Sequence, residues 1–377
     1  MVTDLVLGPE HLDLWWRTVE RAHELLAPSD DGDTSTFQIK RWQALADVGF
    51  QGLTVEPGYG GQGADAMSIA TIVDALGYAC TDNGMLFSVG AHLWSAVTPL
   101  QRFGSEEQKH RYLPGLCDGS LIGVQAVTEP SAGSDAFSMR TTALVEGNEV
   151  VLNGSKTFIT NAPVADVFVV FVTTDRSKGW AGLSAFLVDE ATPGLNISPQ
   201  IRKLGINSSP FGELHFDECR IPMTNVLGKI GAGMMIFTYA MDFERSFILG
   251  PALGTMRRQV ECCARLVDDA PPHVRQLLRH TVATMATRLH VTRLHYYRTA
   301  QRRAIGKTRL PDAAMLKLAL SEAWSQTCRE QIAAHALVGR ALEPQIHGDL
   351  HDSVGSRIYS GTSEIQRDLV AQHLKLP

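Results

Sequence analysis

An α+β fold in three successive units is what this 377-residue chain predicts: an N-terminal helical domain over residues 1–120, a central β-barrel or sandwich domain over 121–228, and a C-terminal helical bundle over 229–377. Three observations carry that expectation. Apolar residues recur at three- and four-residue steps up to about residue 120, the period drops to that of strands up to about residue 228, and long amphipathic stretches resume after Gly233. The length suits two or three packed domains rather than one core.

The first unit begins with Leu12, Trp15, Trp16, Val19 and Ala22, which share one helical face, and continues with Trp42, Leu45, Ala46 and Gly49. Between them Pro28–Thr36 is polar and turn-rich, so it reads as a linker whose Asp and Ser residues can cap the next helix. Pro57-Gly-Tyr-Gly-Gly-Gln-Gly63 lacks the spacing of a phosphate-binding loop and reads as a turn. In the second unit, Thr142–Val145 and Val150–Leu152 flank Gly147-Asn148, a hairpin signal, and Asn153-Gly154 suggests a second hairpin. Asp166–Val172 is a β-branched and aromatic run suited to a strand buried on both faces; Leu183–Val188 and Glu213–Asp217 continue the series. The third unit predicts helices over 235–268, 273–304 and 311–342, punctuated by Pro271-Pro272, Gly306 and Pro311, and a last helix over 363–374.

Composition narrows the function. A net charge of −6 without a long Lys/Arg run argues against a nucleic-acid partner. No apolar run approaches the roughly 18 residues needed to span a bilayer, and no signal peptide is evident, so a cytoplasmic protein is expected. The six cysteines show no C-x-x-C or C-x-x-H spacing, so no metal site is expected; adjacent Cys262 and Cys263 read as small apolar helix residues.

Four segments carry the chemistry. Near the C-terminus stands Ser356-Arg-Ile-Tyr-Ser-Gly-Thr-Ser-Glu-Ile-Gln-Arg367; upstream lie Val127-Thr-Glu-Pro-Ser-Ala-Gly-Ser-Asp135, Asn153-Gly-Ser-Lys-Thr-Phe-Ile-Thr-Asn161, and Asp217-Glu-Cys-Arg-Ile-Pro222 with Leu227-Gly228. Each alone is a modest signal. Together and in this order they resemble the acyl-CoA dehydrogenase family over nearly the whole chain. The resemblance implies FAD lying between β-domain and bundle, and it assigns cofactor-binding roles residue by residue. Val127 and Thr128 would serve the pyrimidine edge of the isoalloxazine, Thr160 would place its hydroxyl at N5, and Phe158, where Trp is more usual, would pack on the ring face. Ser134 and Thr362 would donate to the pyrophosphate, with Glu364 beside them. Hydrogen-bond donors suit that ring because reduction builds negative charge along its edge.

The reaction so implied is α,β-dehydrogenation of an acyl thioester: a carboxylate removes the proton from Cα while hydride leaves Cβ for flavin N5. In many members the residue between Tyr and Gly of the C-terminal loop is a glutamate that acts as this base. Here it is Ser360, whose hydroxyl is too weak a base to act alone. One branch, including isovaleryl-CoA dehydrogenase, takes its base from a bundle helix, and Met241-Asp-Phe-Glu-Arg-Ser246 followed by Gly250-Pro-Ala-Leu-Gly254 resembles that branch. Glu244 is therefore the candidate base; on spacing alone it reads as a surface glutamate paired with a cation. Ser360 would retain the main-chain N–H that holds the thioester oxygen. Arg245, Tyr359 and Gly361 are candidate substrate-binding residues, Arg245 either orienting the base or meeting the phosphopantetheine arm.

Ala91-His-Leu-Trp94, Phe103-Gly-Ser105, Ile159–Pro163 and Tyr359–Thr362 further resemble prolyl-carrier-protein dehydrogenases. That implies a carrier-protein thioester in secondary metabolism, with a short or branched acyl-CoA as the alternative. A flavin oxidase or monooxygenase-like member, and a thioester-binding protein without catalysis, are further readings. The electron acceptor is left open between a flavoprotein and oxygen. Arg257-Arg258 and Arg302-Arg303 read as solvated helix faces or as contacts for an acidic carrier, and His92 reads as packing. Asp268–Leu278 and Ala336–Arg340 replace the family's Arg-x-x-Phe-Gly and Gln-x-x-Gly-Gly segments, which meet FAD across the dimer. A homodimer or homotetramer is expected, with altered contacts to the adenosine half.

Overall fold

The structure, a computed structural model, describes residues 7–26, 36–308 and 310–376, without the side chains of Phe137 and Leu310. The linker expected over Pro28–Thr36 lies outside the described residues except for Thr36.

Six helices make the first unit among the described residues: α1 (Pro9–Leu25), α2 (Ile39–Asp47), α3 (Ala66–Ala79), α4 (Asn83–His92), α5 (Thr98–Phe103) and α6 (Glu106–Asp118). Their ends follow local chemistry. Asp65 caps α3 by accepting the Met67 and Ser68 N–H groups, and Ser105 with Gln108 forms a reciprocal capping box on α6. Pro57–Gly63 folds as a tight turn. A Cβ on Gly61 would lie 2.2 Å from the Val55 carbonyl oxygen, so close backbone approach explains the glycine.

The second unit is one curled sheet of β1 (Gly123–Ala126), β2 (Thr142–Glu146), β3 (Glu149–Thr160), β4 (Val167–Thr173), β5 (Leu183–Asp189), β6 (Leu195–Ile197) and β7 (Phe211–Pro222). β4 carries β5 antiparallel along one side and β1, then β2, parallel along the other; β3, β7 and β6 follow outward. All seven residues of β4 are buried, as its apolar run predicts. Gly147-Asn148 turns the β2–β3 hairpin. Asn153-Gly154 does not turn the chain: it lies inside β3, at a register shift between Leu152 and Gly154 against β7. Gly154 has φ +141°, and a Cβ there would meet Thr141 Cα at 2.7 Å, so the dipeptide marks a bulge.

The bundle comprises α7 (Gly233–Phe247), α8 (Gly250–Asp268), α9 (Pro272–Ala304), α10 (Leu310–Leu337), α11 (Pro344–Ser356) and α12 (Ser363–His373). Two expectations are corrected. The single helix over 235–268 is broken between α7 and α8, because Pro251 has no N–H for the carbonyl of Phe247. The helix over 311–342 stops at Leu337, and Pro344 opens the unexpected α11.

Domains one and three meet closely at α3 and α8. Cβ atoms on Gly77 and Gly254 would lie 1.9 Å from Pro251 O and 2.1 Å from Tyr78 N, so the backbones nearly touch. Beside them Asp74 accepts from Arg293 Nη2 at 2.6 Å and from Tyr297 Oη at 2.8 Å, a fully buried pair between α3 and α9.

Candidate active site

Glu244 lies on the inner face of α7 and is 8% exposed. Both carboxylate oxygens are occupied by hydroxyl donors: Ser360 Oγ donates to Oε1 at 2.5 Å, and Ser95 Oγ donates to Oε2. The surface-pair reading of Glu244 is thereby excluded.

Ser360 sits between α11 and α12 at φ +58°, a left-handed conformation uncommon for a side-chain-bearing residue. The surroundings over-determine it. Its carbonyl accepts from Arg245 Nε and Gln366 Nε2, each at 3.1 Å, while the Gly361 carbonyl accepts from Lys317 Nζ at 2.7 Å and Gln366 Nε2 at 2.9 Å. Gly361 follows at φ +90°, and a Cβ would lie 2.7 Å from Gln366 Nε2, so both conformation and space require glycine. Burial, then the nearby Arg245 guanidinium, pushes the Lys317 ammonium down to about 7, with the carboxylates of Glu244, Glu322 and Glu364 opposing. Burial likewise lowers Arg245. Arg245 thus spends its Nε–H on the loop rather than on Glu244.

Tyr359 packs on Phe87 of α4, ring centroids 4.3 Å apart, and burial raises its phenol well above the ordinary range. Phe87 in turn meets Phe211, which pairs with Thr160 in the sheet, so α4 joins the loop to the β-domain. Thr362 caps α12 by accepting the Ile365 N–H at 3.3 Å. Glu364 is exposed in the first turn; bonds from its own N–H and the Thr362 hydroxyl hold its carboxyl below the ordinary range. It belongs to the helix end and makes no contact comparable to that of Glu244 with Ser95 and Ser360.

The sheet side is built on a buried ion pair. Lys156 Nζ donates to Glu129 Oε1 at 2.8 Å and to the Val127 carbonyl at 3.0 Å, and Glu129 also accepts the N–H groups of Arg140 and Thr141. Burial opposes ionisation of Glu129, but the Lys156, Thr141 and Arg140 donors outweigh it and hold the carboxyl low; burial lowers Lys156 to about 8. With Thr157 N–H donating to Thr128 O at 2.8 Å, this fixes Val127 and Thr128 beside β3. Phe158 sits at a second register shift with φ +56° and is 61% exposed, and Thr160 ends the strand half-buried. Ser134 is exposed in the turn before residues 136–138.

These residues fit an isoalloxazine and its phosphates. An exposed flat aromatic stands at the bulge, Gln125 Nε2 is buried without a partner just ahead of Val127 and Thr128, and α12 presents a capped N-terminus. FAD would be held by Val127, Thr128, Phe158 and Thr160 at the ring and by Ser134 and Thr362 at the phosphates.

The basic pairs are engaged within this chain, and of the four arginines Arg257 is buried. Arg257 is stacked among Trp15, Trp16 and Tyr78, and Arg258 caps α3 by donating to Tyr78 and Cys80 carbonyls. Arg302 pairs with Asp312, and Arg303 pairs with Asp242 over the Phe243 ring. His92 is fully buried in α4; Nε2–H donates to Leu116 O and Nδ1 accepts from Gly123 N–H, so the imidazole is a neutral strut. Ser95, Lys317 and Gln366 escaped the sequence reading. Gln366 lies within the C-terminal motif and Ser95 directly follows the Ala91–Trp94 segment, whereas Lys317 lies far from any motif.

Family models match all three units: the acyl-CoA dehydrogenase N-terminal domain at residues 11–120, the middle domain at 125–219 and the C-terminal domain at 231–375. The chain belongs to the acyl-CoA dehydrogenase family and is an FAD-dependent oxidoreductase. It is 34% identical to an L-prolyl-[peptidyl-carrier protein] dehydrogenase of Pseudomonas fluorescens, with 94% of each chain covered. It is 36% identical to the mitochondrial short-chain specific acyl-CoA dehydrogenase of Homo sapiens, covering 90% of this chain and 83% of that one. A solved structure of PigA with FAD and proline matches with a TM-score of 0.94 at 32% identity, covering 99% of this chain and 100% of that one.

Proposed function

We propose that this enzyme dehydrogenates the α,β-bond of a prolyl thioester carried on a peptidyl carrier protein, with Glu244 as the base. The observation that carries the reading is the buried Glu244 carboxylate held by two hydroxyls beside the Ser360 loop. Enclosure in a low-dielectric site favours proton transfer from a weak carbon acid to a carboxylate. Ser360 keeps its main-chain N–H available for the thioester oxygen, and its left-handed backbone, fixed by Arg245, Gln366 and Lys317, sets the direction of that donor. Tyr359 backs the loop against α4, and Gly361 supplies its turn. Bound between sheet and bundle, FAD supplies the hydride acceptor. Thr128 and Thr160 offer hydroxyl donors to it and Phe158 offers a packing face. The relatives' names favour the carrier-bound prolyl group over an acyl-CoA, and the short-chain relative keeps butyryl-CoA as the second substrate to try.

Partners follow from the same reading. The reduced enzyme passes electrons to a flavoprotein or to oxygen, and oxygen uptake during turnover distinguishes the two. α9 exposes Leu277, Val291 and Leu294, which supports a homo-oligomer formed through this helix. All six cysteines are free thiols, in keeping with a cytoplasmic location.

The test is anaerobic titration of the yellow holoenzyme with prolyl-carrier-protein, butyryl-CoA and isovaleryl-CoA thioesters. The prolyl thioester should bleach the flavin fastest. Glu244→Gln should stay yellow and reduce slower by about a thousandfold or more. A variant that bleaches at the parent's rate removes Glu244 from the role.

A further inference from the structure

The second hydroxyl on Glu244 comes from an unexpected place. Ser95 belongs to Leu93–Val97, a π-helical turn that joins α4 to α5. The cause is a missing donor. Pro99 has no N–H to give the Ser95 carbonyl four residues back, so the α-helical ladder fails there. The backbone widens instead. The Thr98 N–H bonds the Leu93 carbonyl five residues back, and the Thr98 hydroxyl reaches the same oxygen at 2.8 Å. A wider turn lets two successive residues face one neighbour: Trp94 packs on Phe247 of α7 with centroids 5.2 Å apart, while Ser95 reaches Glu244 one turn earlier on α7. Ser95 is itself 4% exposed, so its hydroxyl has no access to bulk water as an alternative partner.

We infer that Ser95 is a positioning residue for the proton-abstracting carboxylate: the π turn exists to fix one oxygen of Glu244 from the N-terminal domain, leaving the other, on the Ser360 side, as the one that takes the proton. This rests on the reading of Glu244 as base. The geometry separates the two hydroxyls by role. Ser95 is anchored in a buried helix, and its bond persists whatever occupies the site. Ser360 lies in the half-buried loop that backs the thioester, so its hydroxyl is the donor a substrate can displace. A carboxylate held at one oxygen only cannot rotate its reactive oxygen away, and orientation of this kind is a large part of catalysis. A donor to the ionised form also stabilises the carboxylate, so losing Ser95 should change the environment of its carboxyl carbon.

The experiment compares parent, Ser95→Ala and Glu244→Gln holoenzymes labelled with [13Cδ]glutamate. The Glu244 resonance is identified by its absence in Glu244→Gln. In Ser95→Ala that resonance should move from its position in the parent, because one carboxylate oxygen has lost its donor, with flavin content and melting temperature near the parent's. With prolyl-carrier thioester, kcat should fall about tenfold with KM little changed. Ser95→Thr, which restores a hydroxyl, should return both readings toward the parent's. An unmoved resonance in Ser95→Ala overturns the inference, even where Glu244→Gln is inactive and the base reading stands. A Glu244→Gln enzyme that reduces normally removes the base reading, whatever the resonance does.

Discussion

Two buried side chains with opposite tasks lie within one helix turn of each other: Ser95, which gives a proton to a hydrogen bond with a carboxylate, and His92, which stays uncharged. Burial pushes the His92 imidazole down to about 4, against the weaker opposing pull of its bonds to Leu116 and Gly123. The sign of the pH effect follows. Above the ordinary histidine value of about 6.5 the ring is neutral in both folded and unfolded chains and costs nothing. As pH falls from about 6.5 toward 4 the unfolded chain takes up a proton that the folded one refuses, and about 3 kcal/mol of stability is lost. His92→Gln keeps a donor and an acceptor but cannot titrate, so its melting temperature should fall less than the parent's over that interval. Equal slopes for the two proteins would show that His92 does not contribute. Phe158, Ser360 and Gly361 share a left-handed backbone, and only at Gly361 does residue type announce it. The other two are held there by β3–β7 pairing and by the Arg245, Gln366 and Lys317 donors.

Among the elements, α3, α7 and α8 set the site. α7 carries Glu244 and Arg245, the break at Pro251 lets α8 turn onto α3, and the glycine pair there brings two domains into backbone contact. Gly254→Ala should therefore cost about 2 kcal/mol or more, because the nearest atoms to the new methyl are backbone and cannot yield. A drop in the urea midpoint of unfolding checks this, and an unchanged midpoint would mean the helices separate freely. Most of these elements were legible. The long helix α9 and the short α12 fall where the sequence places them, and the buried strand β4 where its continuous Val/Phe run does. The bulge at Gly154, the π turn and α11 were not. Each is decided by a hydrogen-bond partner distant in sequence or by a proline's missing donor, and an apolar period registers neither.

At the scale of the molecule, a polar junction ties all three domains beside Tyr359. Asp352 accepts from Ile206 N–H and Asn83 Nδ2, and Asp82 accepts from Arg41 and Ser208. Burial raises Asp352 to about 6, so its contribution to stability is full below the ordinary carboxylate range and is lost as pH rises through 6, the reverse of His92. On the outer face of the bundle α9 presents Val291 and Leu294, 60% and 45% exposed. Sedimentation of the purified protein should give at least twice the mass of one chain, and Val291→Glu with Leu294→Glu should shift it toward one; a parent already sedimenting as one chain would refute the oligomer.

The motifs by themselves determined the family and the order α then β then α, and pointed to Glu244 as the candidate carboxylate, because flavin and thioester chemistry demands particular residue types at fixed places along the chain. Only the tertiary structure decided what holds that carboxylate. Ser95, Ser360 and Glu244 lie 149 and 116 residues apart in their pairings, and a hydrogen bond across such a distance leaves no trace in local composition or period. The structure likewise buried Arg257 and engaged Arg258, Arg302 and Arg303 with carbonyls and carboxylates of this chain, since charge on a helix face is read from sequence without knowing which rings and acceptors will meet it.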